Sequence, residues 1–486
     1  MFIYFVYLFF PSVVIGLHYL PEHARHGKLE TLLHESRNNA LVVQHVMKQR
    51  LDHFSNSSTT FNQRYYVDDT YWGNASSPIL LYIGGEGALN TMPGGFMDVL
   101  AAQLGAKLIA LEHRFYGQSI PFNDLSTNNL QHLTVEQALA DLDFFQAMYT
   151  KKATLVHNDW ICVGGSYPGA LSAWYRIAYP NNTIAALASS AVVHSIYDYT
   201  AFDTQVSTAI GPACAAAVQH LTRKMEATNV KALFGASHLS DADFFYMAAD
   251  AAAMTVQYGH KDKLCIPLLA AVDVVDTFAT FVNTYYGKEF GSSCFYDTHC
   301  LQNEPDRWSE GLRAWRWQKC TQVAFFQVAP TTNSLRSSLI TLKYHEEQCT
   351  SIFGKVNPSL GSLNINLKYG GAHPSGHRIL FTNFQDDPWQ TASILTSPSS
   401  DQPALLARCD LCGHCADLGN NSIPALIAQR HQVQYYLQRW LSSSKLPSTT
   451  MSSSFPNLFL MVLVLGLLLS GLYYSYRKRL QYTRIL

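Results

Sequence analysis

The chain has 486 residues, of which 48% are hydrophobic and 14% charged, so it is long enough to bury a sizeable core. Its formal net charge of −1 provides no basic field, which argues against nucleic acid as a partner. The chain has ten cysteines, and in an oxidising compartment we expect several of them to form disulfides. Cys162 lies inside an apolar run, so we expect it to be a buried free thiol.

The amino-terminal segment 1–17 is apolar and aromatic, which predicts a secretory signal peptide. It lacks the positive charge usual at the start of such signals, so an uncleaved signal anchor is the alternative. Candidate N-glycosylation sites agree with exposure outside the cytosol; the asparagines of these sequons are Asn56, Asn74, Asn181 and Asn420.

Continuous apolar runs predict strands that are buried on both faces of a parallel sheet. These runs occupy residues 78–84, 106–111, 160–163 and 378–383. Helical patterns separate them, and a capping box at Thr134-Val135-Glu136-Gln137 predicts the start of one helix. Strand–helix alternation of this kind favours an α/β fold, and we expect its two parts at 46–199 and 371–441.

Residues 164–169 read Gly-Gly-Ser-Tyr-Pro-Gly, between the apolar run 160–163 and a helical pattern. This arrangement is typical of a nucleophile elbow, a sharp turn that presents one serine hydroxyl above the end of a sheet. Ser166 is therefore the candidate nucleophile. Pro168 departs from the usual G-x-S-x-G pattern, because it stands where the second glycine belongs.

Residues 200–370 differ from their surroundings, because long apolar stretches with helical spacing dominate and six of the ten cysteines fall here. We expect a mostly helical insert that forms a cap over the site.

A serine nucleophile needs a histidine base, and the histidine needs an acidic partner. In α/β-hydrolases these follow the serine in the order acid, then histidine. Asp387 at the end of the 378–383 run and His414 farther along have that order, with Asp386 as the competing acid. The histidine also lies among Cys409, Cys412 and Cys415, a weak zinc-like pattern, but such cysteines usually form disulfides in an oxidising compartment. We therefore expect no metal site.

Acyl transfer also needs donors for an oxyanion. The N–H of Tyr167 is one candidate. The loop Gly84-Gly85-Glu86-Gly87 offers a second, for which we take the N–H of Gly85. Glu86 is a candidate contact for a substrate terminus, with an internal salt bridge to Arg114 as the alternative. His113 is expected to be structural.

The carboxyl end predicts a membrane anchor in three parts. A Ser/Thr-rich stalk at 442–455 precedes an apolar segment at 456–475 that is long enough to cross a bilayer. Clustered basic residues in the tail 476–486 mark the cytoplasmic side, which predicts a single-pass type I membrane protein. Tyr482-Thr483-Arg484-Ile485 matches a Tyr-x-x-apolar pattern that is compatible with endosomal or lysosomal sorting.

The motifs of residues 46–440 resemble the lysosomal Pro-X carboxypeptidase family of serine peptidases, which also includes a dipeptidyl peptidase and the thymus-specific serine protease. The resemblance rests on Gln49–Phe54, Phe61–Tyr66, Gly84–Gly87, Glu112–Ser119, Leu133–Leu139, Gly164–Tyr167, Asp387–Trp389 and His414–Leu418. The stretch Trp315–Thr321 is most similar to the thymus-specific branch. The resemblance implies an α/β-hydrolase core with an inserted helical cap, and a triad of Ser166, Asp387 and His414.

The leading hypothesis is a serine exopeptidase that cleaves peptides near a terminus, next to proline or small residues, as the resemblance implies. It needs no metal or organic cofactor, and its partners are peptide substrates and, through the carboxyl end, a membrane. A non-catalytic receptor or adhesion module on a hydrolase fold and an esterase are the alternatives. Trimming of amino or of carboxyl ends, and formation of a homodimer, are left open.

Overall fold

The computed structural model of the protein describes residues 42–153, 155, 159–287, 293–303 and 311–444. The predicted signal peptide, membrane segment and cytoplasmic tail, and nearly all of the predicted stalk, lie outside these residues. Within them, none of the helices combines the length and the apolar character needed to cross a membrane. The described residues through Trp440 form one compact unit, and residues 441–444 belong to a second.

One eight-stranded sheet forms the centre of the described chain, in the order β1-β2-β4-β3-β5-β6-β7-β8. Strand β2 runs antiparallel to both of its neighbours, β1 and β4. The other six strands, β4, β3, β5, β6, β7 and β8 in sheet order, are parallel to one another. The strands are β1 Val43–Arg50, β2 Thr60–Asp68, β3 Ile79–Ile83, β4 Lys107–Leu111, β5 Trp160–Gly165, β6 Ala185–Ser189, β7 Ile379–Phe384 and β8 Ala404–Ala407.

The four apolar runs form β3, β4, β5 and β7, as predicted. Every residue of these strands is buried, because helices cover both faces of a parallel sheet. The capping box at Thr134 is also confirmed at its first position, since the Thr134 side chain accepts a hydrogen bond from Gln137 N–H at the start of a helix.

The α-helices before β7 are α1 Phe96–Leu104, α2 Thr127–Leu130, α3 Val135–Lys152, α4 Tyr167–Ala178, α5 Thr200–Ala227, α6 Asp241–Gln257, α7 Lys261–Leu269, α8 Val274–Phe281, α9 Ser293–Tyr296, α10 Thr298–Asn303, α11 Leu312–Gln318, α12 Leu342–Phe353 and α13 Pro358–Tyr369. A last helix, α14 Pro424–Ser444, follows β8. Two π-helical turns extend α8 and α11, at Val282–Tyr286 and Lys319–Val323.

The described chain between β6 and β7 contains helices and loops but no strand of the sheet. Disulfides join parts of this helical segment, at Cys214–Cys265, Cys294–Cys300 and Cys320–Cys349. Cys162 is a buried free thiol, as predicted.

Candidate active site

Ser166 alone makes the corner between β5, which ends at Gly165, and α4, which begins at Tyr167. Its φ of 64° and ψ of −128° are rare for a residue other than glycine. Ser166 N–H donates to Ser189 O at 2.9 Å, and Ala170 N–H donates to Ser166 O at 3.0 Å. This strained turn between a strand and a helix has the geometry of a nucleophile elbow.

The glycines of the corner are required by close backbone contacts. A Cβ atom at Gly164 would lie 2.2 Å from Pro168 O, and one at Gly169 would lie 2.6 Å from Ser189 O. Pro168 lies in the first turn of α4, where a helix does not need the missing N–H. Its ring packs so closely on Gly85 that a Cβ there would lie 2.3 Å from the proline Cγ. Pro168 therefore fits the corner and contacts the glycine-rich loop after β3.

A buried aspartate–histidine pair shares this region. His414 Nδ1 lies 2.9 Å from each carboxylate oxygen of Asp387, which also accepts a hydrogen bond of 2.8 Å from Trp389 N–H. A carboxylate can only accept, so Nδ1 carries the proton and Nε2 is left as an acceptor. The Nε2 atom is buried and has no hydrogen-bond partner among the described residues, and Ser166 and His414 line the same cavity.

The charge state of His414 depends on two opposing effects. Burial lowers the pKa of the imidazole, but the negative charge of Asp387, the neighbouring Cys415 and the hydrogen bond to Asp387 together raise the pKa by more. The pKa of His414 therefore lies above its usual value. Asp387 both fixes the tautomer of the ring and stabilises its protonated form.

Asp386, the competing acid, makes different contacts. Its Oδ2 atom lies 2.8 Å from Lys261 Nζ and accepts a hydrogen bond of 2.9 Å from Leu411 N–H. Burial raises the pKa of Asp386, and the ion pair with Lys261 opposes that shift. Asp386 thus connects the loop after β7 to α7, whereas Asp387 is the member of the acidic pair that contacts His414.

The loop that carries His414 is anchored by Asp417, a residue whose role the sequence alone did not reveal. The Asp417 carboxylate is fully buried and accepts hydrogen bonds from Ser189 Oγ at 2.5 Å and Thr382 Oγ1 at 2.7 Å. These two hydroxyls come from the carboxyl ends of β6 and β7. The histidine loop is therefore tied to the same sheet edge that presents Ser166.

The helical segment also contacts this loop directly, through Gln257 at the end of α6. His414 N–H donates to Gln257 O at 2.6 Å, and the indole N–H of Trp389 donates to Gln257 Oε1 at 2.8 Å. Gly413 cannot carry a side chain, because its Cβ would lie 2.2 Å from Gln257 O. No sequence signal marks Gln257, since a single glutamine at a helix end has no distinctive pattern.

An open cavity with an empty volume of about 890 Å³, part of it solvent, adjoins Ser166 and His414. Aromatic side chains from the helical segment line it, among them Tyr246, Phe295 and Trp315. Tyr167 and Gly85 are among the residues that line the cavity, and neither N–H donates a hydrogen bond to another residue in the described chain. Their role as oxyanion donors stays a prediction.

Glu86 lines this cavity, and Arg114, the possible partner named for an internal salt bridge of Glu86, is bonded elsewhere. The Arg114 guanidinium pairs instead with Asp141 of α3, with nitrogen–oxygen distances of 2.6 Å. Its remaining donors bond to backbone carbonyls of Arg50, Leu51 and His132. Arg114 is directed into the core of the unit by these partners, so it does not contact Glu86.

His113 occupies a structural position, where it supports Tyr167. His113 Nδ1 donates to Arg114 O at 2.7 Å, so Nε2, 3.1 Å from the Tyr167 hydroxyl, accepts from it. Gln318 Nε2 donates to the same hydroxyl at 2.7 Å, and Gln318 Oε1 accepts from Tyr116 at 2.5 Å. This buried network connects the elbow helix to the helical segment.

We expect His113 to make stability depend on pH, because burial lowers its pKa to about 4. The unfolded chain binds the proton near pH 6.5, so the stabilisation is complete above that pH and is lost as pH falls toward 4. The loss amounts to about 3 kcal/mol, from 1.36 kcal/mol per pKa unit. Urea unfolding of wild type and His113→Gln at pH 7 and pH 4 should show the difference in stability between them shrinking by that amount. An equal difference at both pH values would contradict the assignment.

The remaining predicted positions lie on the surface or in the histidine loop. All four sequon asparagines, Asn56, Asn74, Asn181 and Asn420, are exposed, as a glycan requires. Cys409 and Cys412 form a disulfide, which uses two of the sulfurs that a zinc site at His414 would need. Cys415 is a buried free thiol.

The strand order, the strained serine corner and the buried Asp387–His414 pair together define an α/β-hydrolase fold with the constellation of a serine hydrolase. The chain belongs to the serine carboxypeptidase S28 family, whose model matches residues 49–430, and it is a serine-type peptidase that acts on peptides.

Three relatives illustrate this membership. The chain is 38% identical over 434 residues to the "Probable serine protease EDA2" of Arabidopsis thaliana, covering 82% of this chain and 88% of the relative. It is 30% identical over 454 residues to the thymus-specific serine protease of Mus musculus, covering 84% and 89%. It is 29% identical over 457 residues to the lysosomal Pro-X carboxypeptidase of Bos taurus, covering 82% and 87%.

Proposed function

We propose that the protein is a serine exopeptidase in which Ser166 is the nucleophile, His414 the general base and Asp387 the residue that orients the histidine. The observation that carries this proposal is the environment of the imidazole. Its Nδ1 is bonded to Asp387, Nε2 has no partner in the described chain, and His414 lines the same cavity as Ser166. A serine hydroxyl becomes a good nucleophile when such a base accepts its proton.

In this mechanism His414 Nε2 accepts the Ser166 proton while Ser166 Oγ bonds to the peptide carbonyl carbon. The carbonyl oxygen becomes an oxyanion, which the N–H groups of Tyr167 and Gly85 stabilise. His414 then donates the proton to the departing amine, which leaves an acyl-enzyme. Water, deprotonated by the same histidine, releases the acyl group and restores the serine.

The helical segment 200–370 acts in this proposal as a cap that favours peptide ends. Helix α6 and the chain around Trp315 provide part of the cavity wall, so a substrate has to enter between the segment and the sheet edge. The aromatic wall of Tyr246, Phe295 and Trp315 suits proline or small apolar residues. The name of the bovine relative, a Pro-X carboxypeptidase, points to the same preference.

The proposed location is the secretory pathway, with the catalytic unit extracellular or lumenal. The exposed sequons, the disulfides and the apolar segments 1–17 and 456–475 support a single-pass type I membrane protein with its tail in the cytosol. The lysosomal relative and the Tyr482–Ile485 pattern support an endosomal or lysosomal destination. Formation of a homodimer stays a prediction for sedimentation analysis.

The proposal is tested with a fluorophosphonate probe and a peptide library. The probe should label the wild-type protein and not Ser166→Ala, and mass spectrometry of the digested library should show fragments removed from chain ends. Equal labelling of both proteins would refute the assignment of Ser166. Cleavage of simple acyl esters without peptide cleavage would favour an esterase. A tight protein ligand that still binds Ser166→Ala, with no turnover by wild type, would favour a receptor.

A further inference from the structure

One face of α6 forms a wall of the cavity. Tyr246, Asp250, Met254 and Gln257 are spaced by four, four and three residues, so they lie on one side of the helix, and all of them line the cavity. The Gln257 carbonyl accepts the hydrogen bond from His414 N–H. The carboxyl end of α6 is therefore fixed beside the catalytic histidine, and the wall leads away from it toward Asp250.

Asp250 presents a fixed carboxylate to this cavity. The residue is only 6% exposed, and its Oδ2 atom accepts a hydrogen bond of 3.0 Å from the Tyr296 hydroxyl. Tyr296 is held in turn by Tyr286, with 2.8 Å between the two hydroxyl oxygens. The other carboxylate oxygen, Oδ1, has no hydrogen-bond partner among the described residues, and Asp250 is one of the residues that line the cavity. None of the ion pairs of the described chain includes Asp250.

The charges that line the cavity favour a cationic ligand. Glu86 and Asp250 contribute two carboxylates, and Lys319 contributes one ammonium. Lys319 Nζ lies 3.1 Å from Gln327 Oε1 and 3.4 Å from the Tyr246 hydroxyl, so neighbouring oxygens hold it in the wall. A buried carboxylate without an ionic partner is costly, and a bound cation offsets that cost.

The length of the wall fits a short peptide end. Asp250 and Gln257 are seven residues apart on α6, which is about 10 Å along the axis at 1.5 Å per residue. Two extended residues span about 7 Å, and a hydrogen bond to the carboxylate adds about 3 Å. A peptide whose terminal ammonium contacts Asp250 can thus place the carbonyl of its second residue near the catalytic histidine.

We propose that Asp250 is the binding site for the α-ammonium group of the substrate, so that the enzyme trims amino ends and releases fragments of about two residues. This inference rests on the proposed exopeptidase function and specifies which end it recognises. The ammonium of a lysine side chain has the same chemistry, so the experiment has to separate these two sources.

The test uses one proline-containing peptide in four forms: unmodified, N-acetylated, carboxyl-amidated, and N-acetylated with an added lysine at the first position. Mass spectrometry gives the products and kcat/KM for each form. Wild type should cleave the unmodified and amidated peptides equally well, and both acetylated forms about 10- to 100-fold less well, the effect of losing one charged hydrogen bond. Asp250→Asn should lose the same factor on the unmodified peptide and none on the acetylated one.

Two variants separate recognition from structure. Asp250→Glu keeps the charge and should retain a preference for the free amino end. Asp243→Asn removes a buried carboxylate of the same helix that bonds to Thr298 and Tyr344 and does not line the cavity, so it should leave the preference intact. Rates of fluorophosphonate labelling show whether each variant keeps an intact serine site.

Several outcomes would overturn the inference. Equal cleavage of the free and acetylated peptides, or loss of cleavage on amidation alone, would show that the amino end is not recognised. Good cleavage of the acetylated lysine form would assign Asp250 to a side chain instead. An equal fall of Asp250→Asn on all four peptides would make the residue structural. Failure of the proposed function looks different, because wild type would then cleave none of the four.

Discussion

Replacing Asp387 with asparagine is expected to lower kcat about 10,000-fold while leaving the fold intact, as the same change does in serine protease triads. Both carboxylate oxygens of Asp387 lie 2.9 Å from His414 Nδ1 and accept a hydrogen bond from its N–H. An asparagine amide in this position can donate to Nδ1, which forces the proton onto Nε2. The histidine would then hold a proton on the atom that has to accept one from Ser166.

The pH profile provides a second readout of the same change. His414 has to be neutral to act as a base, so activity falls as pH drops through its pKa. Asp387 raises that pKa above the usual value of the imidazole, against the effect of burial. In Asp387→Asn the contribution of Asp387 to this increase is lost. The residual activity should therefore fall off on the acid side at a lower pH than the activity of wild type. Steady-state kinetics between pH 4 and pH 9 measure both effects.

Asp386→Asn is the matched control, because the two carboxylates are adjacent and both buried. Asp386 pairs with Lys261 of the helical segment, so this variant should lose stability. Its kcat in the folded state should stay within a few-fold of wild type, since Asp386 does not contact His414. A 10,000-fold loss in Asp386→Asn with little loss in Asp387→Asn would reverse the assignment.

The sequence predicts the central strands and the order of the triad because both have local signals. Continuous apolar runs mark β3, β4, β5 and β7, and the glycine-flanked serine marks the elbow. The outer strands β1 and β8 have weaker signals. The residues of β1 form no continuous apolar run, and β8, Ala-Leu-Leu-Ala, is a run of four residues that periodicity cannot distinguish from part of a helix. Strand β6, Ala-Ala-Leu-Ala-Ser, was missed because alanine has little strand preference and only pairing with β5 and β7 makes it a strand.

The helical segment was predicted as a cap, yet its contacts with the site could not be derived from the sequence. Gln257 and Asp250 reach the cavity because α6 packs with one particular face toward the histidine loop. That orientation depends on contacts between residues far apart in the chain, such as Lys261 with Asp386. The pairing of Arg114 with Asp141 rather than with Glu86 has the same origin, since Asp141 lies 27 residues from Arg114 in sequence and only the fold brings them together.

Arg114 connects two of the motifs in space, Gln49–Phe54 and Glu112–Ser119, because its side chain bonds to the chain at the end of β1. The guanidinium is fully buried and bonds to the carbonyls of Arg50, the last residue of β1, and of Leu51, the next residue. It also pairs with Asp141, which lies 2.8 Å from His53 Nε2. One side chain therefore joins the edge of the sheet to α3, and its own carbonyl supports His113 below the elbow.

Arg114→Met is accordingly expected to destabilise the protein by about 3 to 5 kcal/mol. This is the cost of leaving one member of a buried ion pair without its partner. Methionine preserves much of the side-chain volume, so the loss reflects Asp141 and the carbonyls left without their donor. Urea unfolding measures the effect, with Lys343→Met as control, because Lys343 is exposed and its pair with Glu347 lies on a helix surface. The control should change stability by less than about 0.5 kcal/mol.

Arg114→Lys separates charge from geometry in this network. A lysine ammonium can pair with Asp141 as a point charge, but it cannot reach the carbonyls of Arg50, Leu51 and His132 at the same time. We therefore expect it to recover only part of the stability lost in Arg114→Met. If Arg114→Lys were as stable as wild type, the charge alone would account for the effect. If Arg114→Met matched the Lys343→Met control, the buried network would not stabilise the fold at all.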